Sequence, residues 1–214
     1  PLIADIHFNY KLAIAAVENG ADKIRINPGN IGGKQKINEI IKCAKEYNSP
    51  IRIGVNSGSL NKKILSINKG NIVRAMVASA DEYIKLFNDF GFDNIVVSLK
   101  SSNVITTIDS YEMFSKNHSY PLHVGITEAG ALINGVIKSS VGIGKLLSEG
   151  IGDTIRVSLT ADPSEEIKTA TYMLRALNML QKGIEIISCP TCGRCNIDII
   201  GLTNELENKL PLTK

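Results

Sequence analysis

The chain has no tryptophan and only 5% aromatic residues, so it offers little for nucleic-acid bases to stack on. An excess of one charge is also missing. The net charge is +3, and the basic residues are scattered rather than blocked, which excludes the electrostatic footprint of a nucleic-acid surface. No apolar run approaches the roughly 20 residues that cross a bilayer, and no charged-then-apolar leader opens the sequence. Membrane insertion is therefore not expected, and a cytoplasmic location is. An initiating methionine is absent too: Pro1 runs straight into an apolar stretch, so the chain is expected to be a fragment. A Gly-rich phosphate loop after the first strand-like run, the mark of a doubly wound dinucleotide fold, does not occur.

What is present begins with composition. With 214 residues, 43% of them hydrophobic and 21% charged, the chain can bury one core, or one core and the start of another. Short apolar runs recur at Leu2 to Phe8, Lys23 to Asn27, Ile51 to Asn56, Asn94 to Lys100, Leu122 to Thr127 and Thr154 to Thr160. Longer helical patterns separate them, which predicts six βα units and a parallel sheet. Gly20, Gly91, Gly150 and Gly183 each stand where a left-handed residue would close a helix. Asp162-Pro163-Ser164-Glu165 reads as an N-cap, a first-turn proline and a capping-box glutamate opening a helix to about Lys182. Gly142-Ile143-Gly144-Lys145 falls inside a helical pattern and is read as close helix packing. The spacing fits a TIM-type (β/α)8 barrel, incomplete, with its first two strands missing.

In such barrels chemistry gathers where the strands end. Alternation places Arg25 with Asn27, Arg52 with Asn56, Ser98 with Lys100 and Arg156 with Ser158 on shared faces. Each Arg is flanked by apolar residues, a costly setting for a cation without a counter-charge. The strands supply only Asp5 and Glu128 as inward acids, so an anionic ligand, expected to be a diphosphate, would complete the balance. Glu128 is read either as a general acid or base at the rim or as a cap of the next helix. His7 and His123 are read as hydrogen-bonded core residues, Cys43 as core in a helix from Lys36 to Tyr47, and His118 as a loop residue.

Three of the four cysteines crowd into Ser188-Cys189-Pro190-Thr191-Cys192-Gly193-Arg194-Cys195. Two thiolates two residues apart can curl around one metal or cluster, so this segment reads as a metal or iron-sulfur site that lacks its full set of about four ligands.

Together, Pro1 to Phe8, Asp22 to Gly32, Ile51 to Leu60, Ser98 to Ser102, His123 to Gly130, Gly150 to Thr160 and Ser188 to Arg194 resemble, in order, the motifs of the 4-hydroxy-3-methylbut-2-enyl diphosphate synthase family. The resemblance implies reductive ring opening and dehydration of 2-C-methyl-D-erythritol 2,4-cyclodiphosphate in isoprenoid biosynthesis, with a [4Fe-4S] cluster and electrons from ferredoxin or flavodoxin. It implies that Arg25, Asn27, Arg52, Asn56, Lys100, Arg156 and Ser158 bind the substrate, that Glu128 serves proton transfer, and that Cys189 and Cys192 are cluster ligands. Cys195 matches no family ligand position. A truncated barrel domain over residues 1–183 and the beginning of a small α+β iron-sulfur domain over 184–214 follow, and a homodimer is implied. The family's third cysteine and a cluster glutamate lie past Lys214, so the fragment alone is expected to be inactive. The competing readings are a non-redox barrel enzyme acting on a phosphorylated substrate, with a structural zinc knuckle, and a zinc-ribbon binding module.

Overall fold

The computed structural model describes residues 1–181, 184 and 186–210. Strands β1 (Ile3–Ile6), β2 (Lys23–Ile26), β3 (Ile51–Asn56), β4 (Ile95–Lys100), β5 (His123–Val124) and β6 (Thr154–Ile155) lie parallel and follow one another in sequence order. A parallel bridge between Val97 and Leu122 carries the sheet from β4 to β5. Between the strands run α1 (Tyr10–Glu18), α2 (Pro28–Ile31), α3 (Lys34–Glu46), α4 (Lys62–Ile67), α5 (Ile72–Asp89), α6 (Val104–Ser115) and α7 (Leu132–Ser148), with α8 (Pro163–Ala176) and α9 (Ile199–Lys209) after β6. A strand order that never reverses is the progression of a barrel; a doubly wound sheet turns back at a switch point. The fold is an α/β, TIM-type barrel, incomplete among the described residues.

The core forms because alternate strand residues are apolar. Ile24, Ile26, Ile51, Ile53, Val97 and Leu99 are buried against Ile40 and Ile41 of α3, Met76 and Phe87 of α5, and Phe114 of α6. The intervening positions carry the polar and charged residues, which face the concave side. Where the ladder thins between β4 and β5, the fully buried Tyr111 ties the strands together: Leu99 N donates to its hydroxyl at 2.9 Å, and the hydroxyl donates to His123 O at 2.6 Å. Asparagine opens many of the helices, with Asn9, Asn27, Asn61, Asn71 and Asn103 accepting first-turn amides through their side chains.

Some boundaries differ from expectation. The last two strands are shorter than the runs Leu122 to Thr127 and Thr154 to Thr160, because the β5–β6 ladder stops at Val124 and Ile155. Asp162 caps α8 by accepting from Ser164 N, but Glu165 does not close the box; it pairs with Lys168 at 2.7 Å. The same helix ends at Ala176 rather than near Lys182, because Asn178 adopts a left-handed φ of 56° and folds the chain back onto Leu174 and Arg175. Gly20, Gly91 and Gly150 have the left-handed φ that the helix ends required. Gly183 and Lys182 lie outside the described residues. No helix among the described residues is long and apolar enough to cross a membrane.

Candidate functional site

Strand register decides which cations meet. Asp5, Arg25 and Arg52 are direct neighbours across β1, β2 and β3, and Asn56 stands beside Lys100 across β3 and β4. With Arg156 and Ser158 just past β6, these side chains line a cavity of about 230 Å³ that also takes in Ser98, His7 and Thr127. Four cations, three on β2, β3 and β4 and one just past β6, thus face one space whose lining holds a single carboxylate, that of Asp5. Arg25 Nη1 donates to Asp5 Oδ1 at 3.0 Å, and Arg156 Nη1 approaches Asp5 Oδ2 at 3.8 Å. Among the described residues no acid pairs with Arg52 or Lys100.

The cost of that arrangement appears in the protonation equilibria. Burial, reinforced by the charges of Arg156, Arg52 and Arg25, pushes the Lys100 ammonium down to about 7. Arg52 is lowered as well, first by burial, and its Nε is buried without a hydrogen-bond partner among the described residues. His123 is held down at about 2, by burial first and then by Lys100, Arg52 and Arg156. Its Nδ1 pairs with Thr154 Oγ1 at 2.8 Å while Nε2 is buried and has no partner among the described residues. Buried donors and cations left without partners cost free energy that a bound anion would offset.

Two glycines make the geometry possible. A Cβ at Gly54 would collide with the Arg25 guanidinium, and one at Gly125 would meet Arg156 O at 2.5 Å and Lys100 Nζ at 3.2 Å. Both sit in or next to strands where alternation calls for an inward side chain, so their missing side chains are the space the cations occupy. Sequence reasoning passed over both, although a glycine inside a strand pattern signals close approach of another group. Thr127 was missed as well.

The sequence-derived site residues therefore fall into groups. Arg25, Arg52, Asn56, Lys100, Arg156 and Ser158 converge. Asn27 does not line the cavity; its side chain accepts from Gly29 N to cap α2 and donates to Ser59 Oγ. Glu128 is exposed at a left-handed φ of 53° and stands off the cavity lining. It is not a helix cap, since Ala131 holds that position of α7. His7 is exposed at the cavity edge rather than buried, because β1 ends at Ile6. His123 is the buried, hydrogen-bonded histidine expected. Cys43 packs against the core at partial burial, and His118 pairs with Asp81 at 2.8 Å. A larger cleft of about 510 Å³ between α7 and α8 is mostly apolar, and its Glu165 and Lys168 neutralise each other.

Cys189 and Cys192 are exposed free thiols, and Cys189 borders a separate shallow cleft with Ile199 and Ile200. Cys195 turns its sulfur toward Ile197 O at 3.3 Å. Among the described residues no group of three or more His, Cys, Asp or Glu could hold a metal ion. Two thiols in an exposed Cys-Pro-Thr-Cys segment suit half of a cluster's ligand set.

A family model described as the GcpE TIM-barrel domain matches residues 1–171. A 4-hydroxy-3-methylbut-2-en-1-yl diphosphate synthase (flavodoxin) from Clostridium acetobutylicum is 56% identical over 213 residues, covering 100% of this chain and 61% of its own length. One of the same name from Caldicellulosiruptor saccharolyticus is 57% identical over 210 residues, covering 98% of this chain and 60% of its own. The chain spans about 60% of the length of these relatives. A solved type I 3-dehydroquinate dehydratase from Clostridium difficile overlays 83% of the chain at a TM-score of 0.47 and 15% identity, too loosely for any inference.

Proposed function

This chain belongs to the GcpE family, and on that premise we propose that its protein converts 2-C-methyl-D-erythritol 2,4-cyclodiphosphate into 4-hydroxy-3-methylbut-2-enyl diphosphate in isoprenoid biosynthesis. The overall change consumes two electrons and two protons and releases one water, so it needs a reductant, for which the relatives' name suggests flavodoxin. The carrying observation is the meeting of Arg25, Arg52, Lys100 and Arg156 around a cavity with one acid. Planar guanidiniums grip phosphoryl oxygens two at a time, and two phosphoryl groups carry enough negative charge to balance the excess. Asn56, Ser98, Thr127 and Ser158 add neutral hydrogen-bonding groups around the same space.

A [4Fe-4S] cluster, with Cys189 and Cys192 as two of its ligands and the others from outside this chain, would supply the electrons for C–O cleavage. The barrel residues hold the ring and neutralise its charge. Glu128, at the rim after β5, is proposed for proton transfer. Because the two thiols do not border the cation cavity, a cytoplasmic homodimer in which one subunit's cysteine domain covers the other's barrel would bring the two halves together.

Anaerobically purified full-length protein should be brown, bleach on reduction and form the linear diphosphate with reduced flavodoxin. Colourless protein containing one tightly bound zinc would replace this reading with that of a non-redox barrel enzyme. Full-length Cys189→Ser should lose the colour yet still bind the cyclic diphosphate.

A further inference from the structure

We propose that Lys100 takes up a proton from solvent as the anion enters the cavity, so that the site is filled by ligand and proton together; this rests on the diphosphate reading above and deepens it. The lysine ends β4, is 9% exposed, and lies across the backbone of Gly125, within 3.2 Å of where a Cβ would stand. The charged and titratable groups that face it can be taken strand by strand. β1 and its end bring Asp5 and His7, β2 brings Arg25, β3 brings Arg52, β5 brings His123, and the segment after β6 brings Arg156. From behind the sheet, α6 brings the neutral hydroxyl of Tyr111, already bonded between Leu99 and His123.

Asp5 is the one acid in this set, and it is engaged by Arg25 and Arg156. His123 is uncharged at neutral pH. Among the described residues Lys100 therefore faces three guanidiniums with no counter-ion of its own. Guanidiniums do not deprotonate in proteins, so the lysine is the one cation of the four able to relieve the repulsion. Its depressed titration near neutrality agrees with that. Arrival of two phosphoryl charges reverses the sign of the local field and restores the ammonium. The step is a simple protonation, amine plus H⁺ giving ammonium, with no change of oxidation state.

The consequence is a pH-dependent affinity. Above about pH 7 the empty site has lost the proton that the filled site holds, so binding of the cyclic diphosphate should weaken toward tenfold per pH unit. Each phosphoryl of that ligand has a single acidic group, ionised far below neutrality, so the ligand itself contributes no proton change.

The test uses full-length protein and the cyclic diphosphate in titration calorimetry at pH 8, in buffers of different protonation enthalpy. Wild type should take up roughly 0.9 proton per site, whereas Lys100→Arg should bind with almost none, because arginine arrives already charged. Independently, the Lys100 ε-carbon in the ligand-free protein should titrate by NMR with a midpoint near 7. Binding without proton uptake, or a midpoint near the ordinary 10.5, overturns the inference while leaving the diphosphate reading intact. If wild type does not bind the cyclic diphosphate at all, the functional reading fails and this inference fails with it.

Discussion

Gly54 of β3 and Arg25 of β2 share one volume: the guanidinium of Arg25 lies where the glycine's side chain would be. Gly54→Ala should therefore dislodge Arg25 from Asp5. We expect a loss of about 1 to 3 kcal/mol in stability from overpacking, and at least a tenfold weaker affinity for the cyclic diphosphate. Thermal melts and calorimetry read the two effects separately. An alanine variant with unchanged affinity would show that Arg25 need not lie there.

Burial separates the two unlike arginines of the site. Arg52 is 8% exposed, while the Arg156 side chain is 53% exposed at the rim. Arg52→Ala should cost about 2 to 5 kcal/mol of ligand binding, as for a desolvated charged contact. Arg156→Ala should cost nearer 1 to 2 kcal/mol, with the larger salt dependence. Equal losses in both variants would contradict the exposed position of Arg156.

Stability of the ligand-free protein should rise with pH in two windows. Lys100 has a folded value of about 7 against an ordinary 10.5, so the unfolded chain binds more protons between those values and the folded state gains as pH increases through them. The same sign holds for His123 between about 2 and 6.5. Lys100→Met should therefore raise the melting temperature at pH 6 more than at pH 10, while weakening anion binding. His123→Gln should flatten the acid window, as followed by urea unfolding.

Two glycines two positions apart in α7 should respond oppositely to alanine. A Cβ at Gly142 would meet Ile126 Cδ1 at 2.6 Å and Val104 Cγ1 at 3.3 Å, whereas one at Gly144 meets nothing within 4 Å. Gly142→Ala should lose about 1 to 3 kcal/mol, and Gly144→Ala should gain about 0.5 to 1 kcal/mol of helix propensity. Chemical denaturation decides both. Matching losses would mean that Gly144 contacts something too.

Much of the protein was written locally in its sequence. The period-two alternation that puts Arg25 between Ile24 and Ile26, the Asp162-Pro163 helix start, and the cations at successive strand ends all depend on residues a few positions apart, so they were legible without a fold. Helix stops made by asparagine rather than glycine, as at Asn178, carried a weaker local signal and moved a boundary.

Tertiary structure alone decided what register and packing control. Asp5 reaches Arg25 because β1 and β2 pair without a slip, although 20 residues separate them. Asn27, on the same alternation face as Arg25, was drawn away by the amide of Gly29. His7 and His123 look alike in sequence, yet one emerges beyond the end of β1 and the other is sealed beneath the cations. Among the described residues Lys100 lacks a counter-ion because the carboxylate lining its cavity, that of Asp5, already has two partners. Those outcomes come from distances between strands that the chain itself separates, and no count along the sequence contains them.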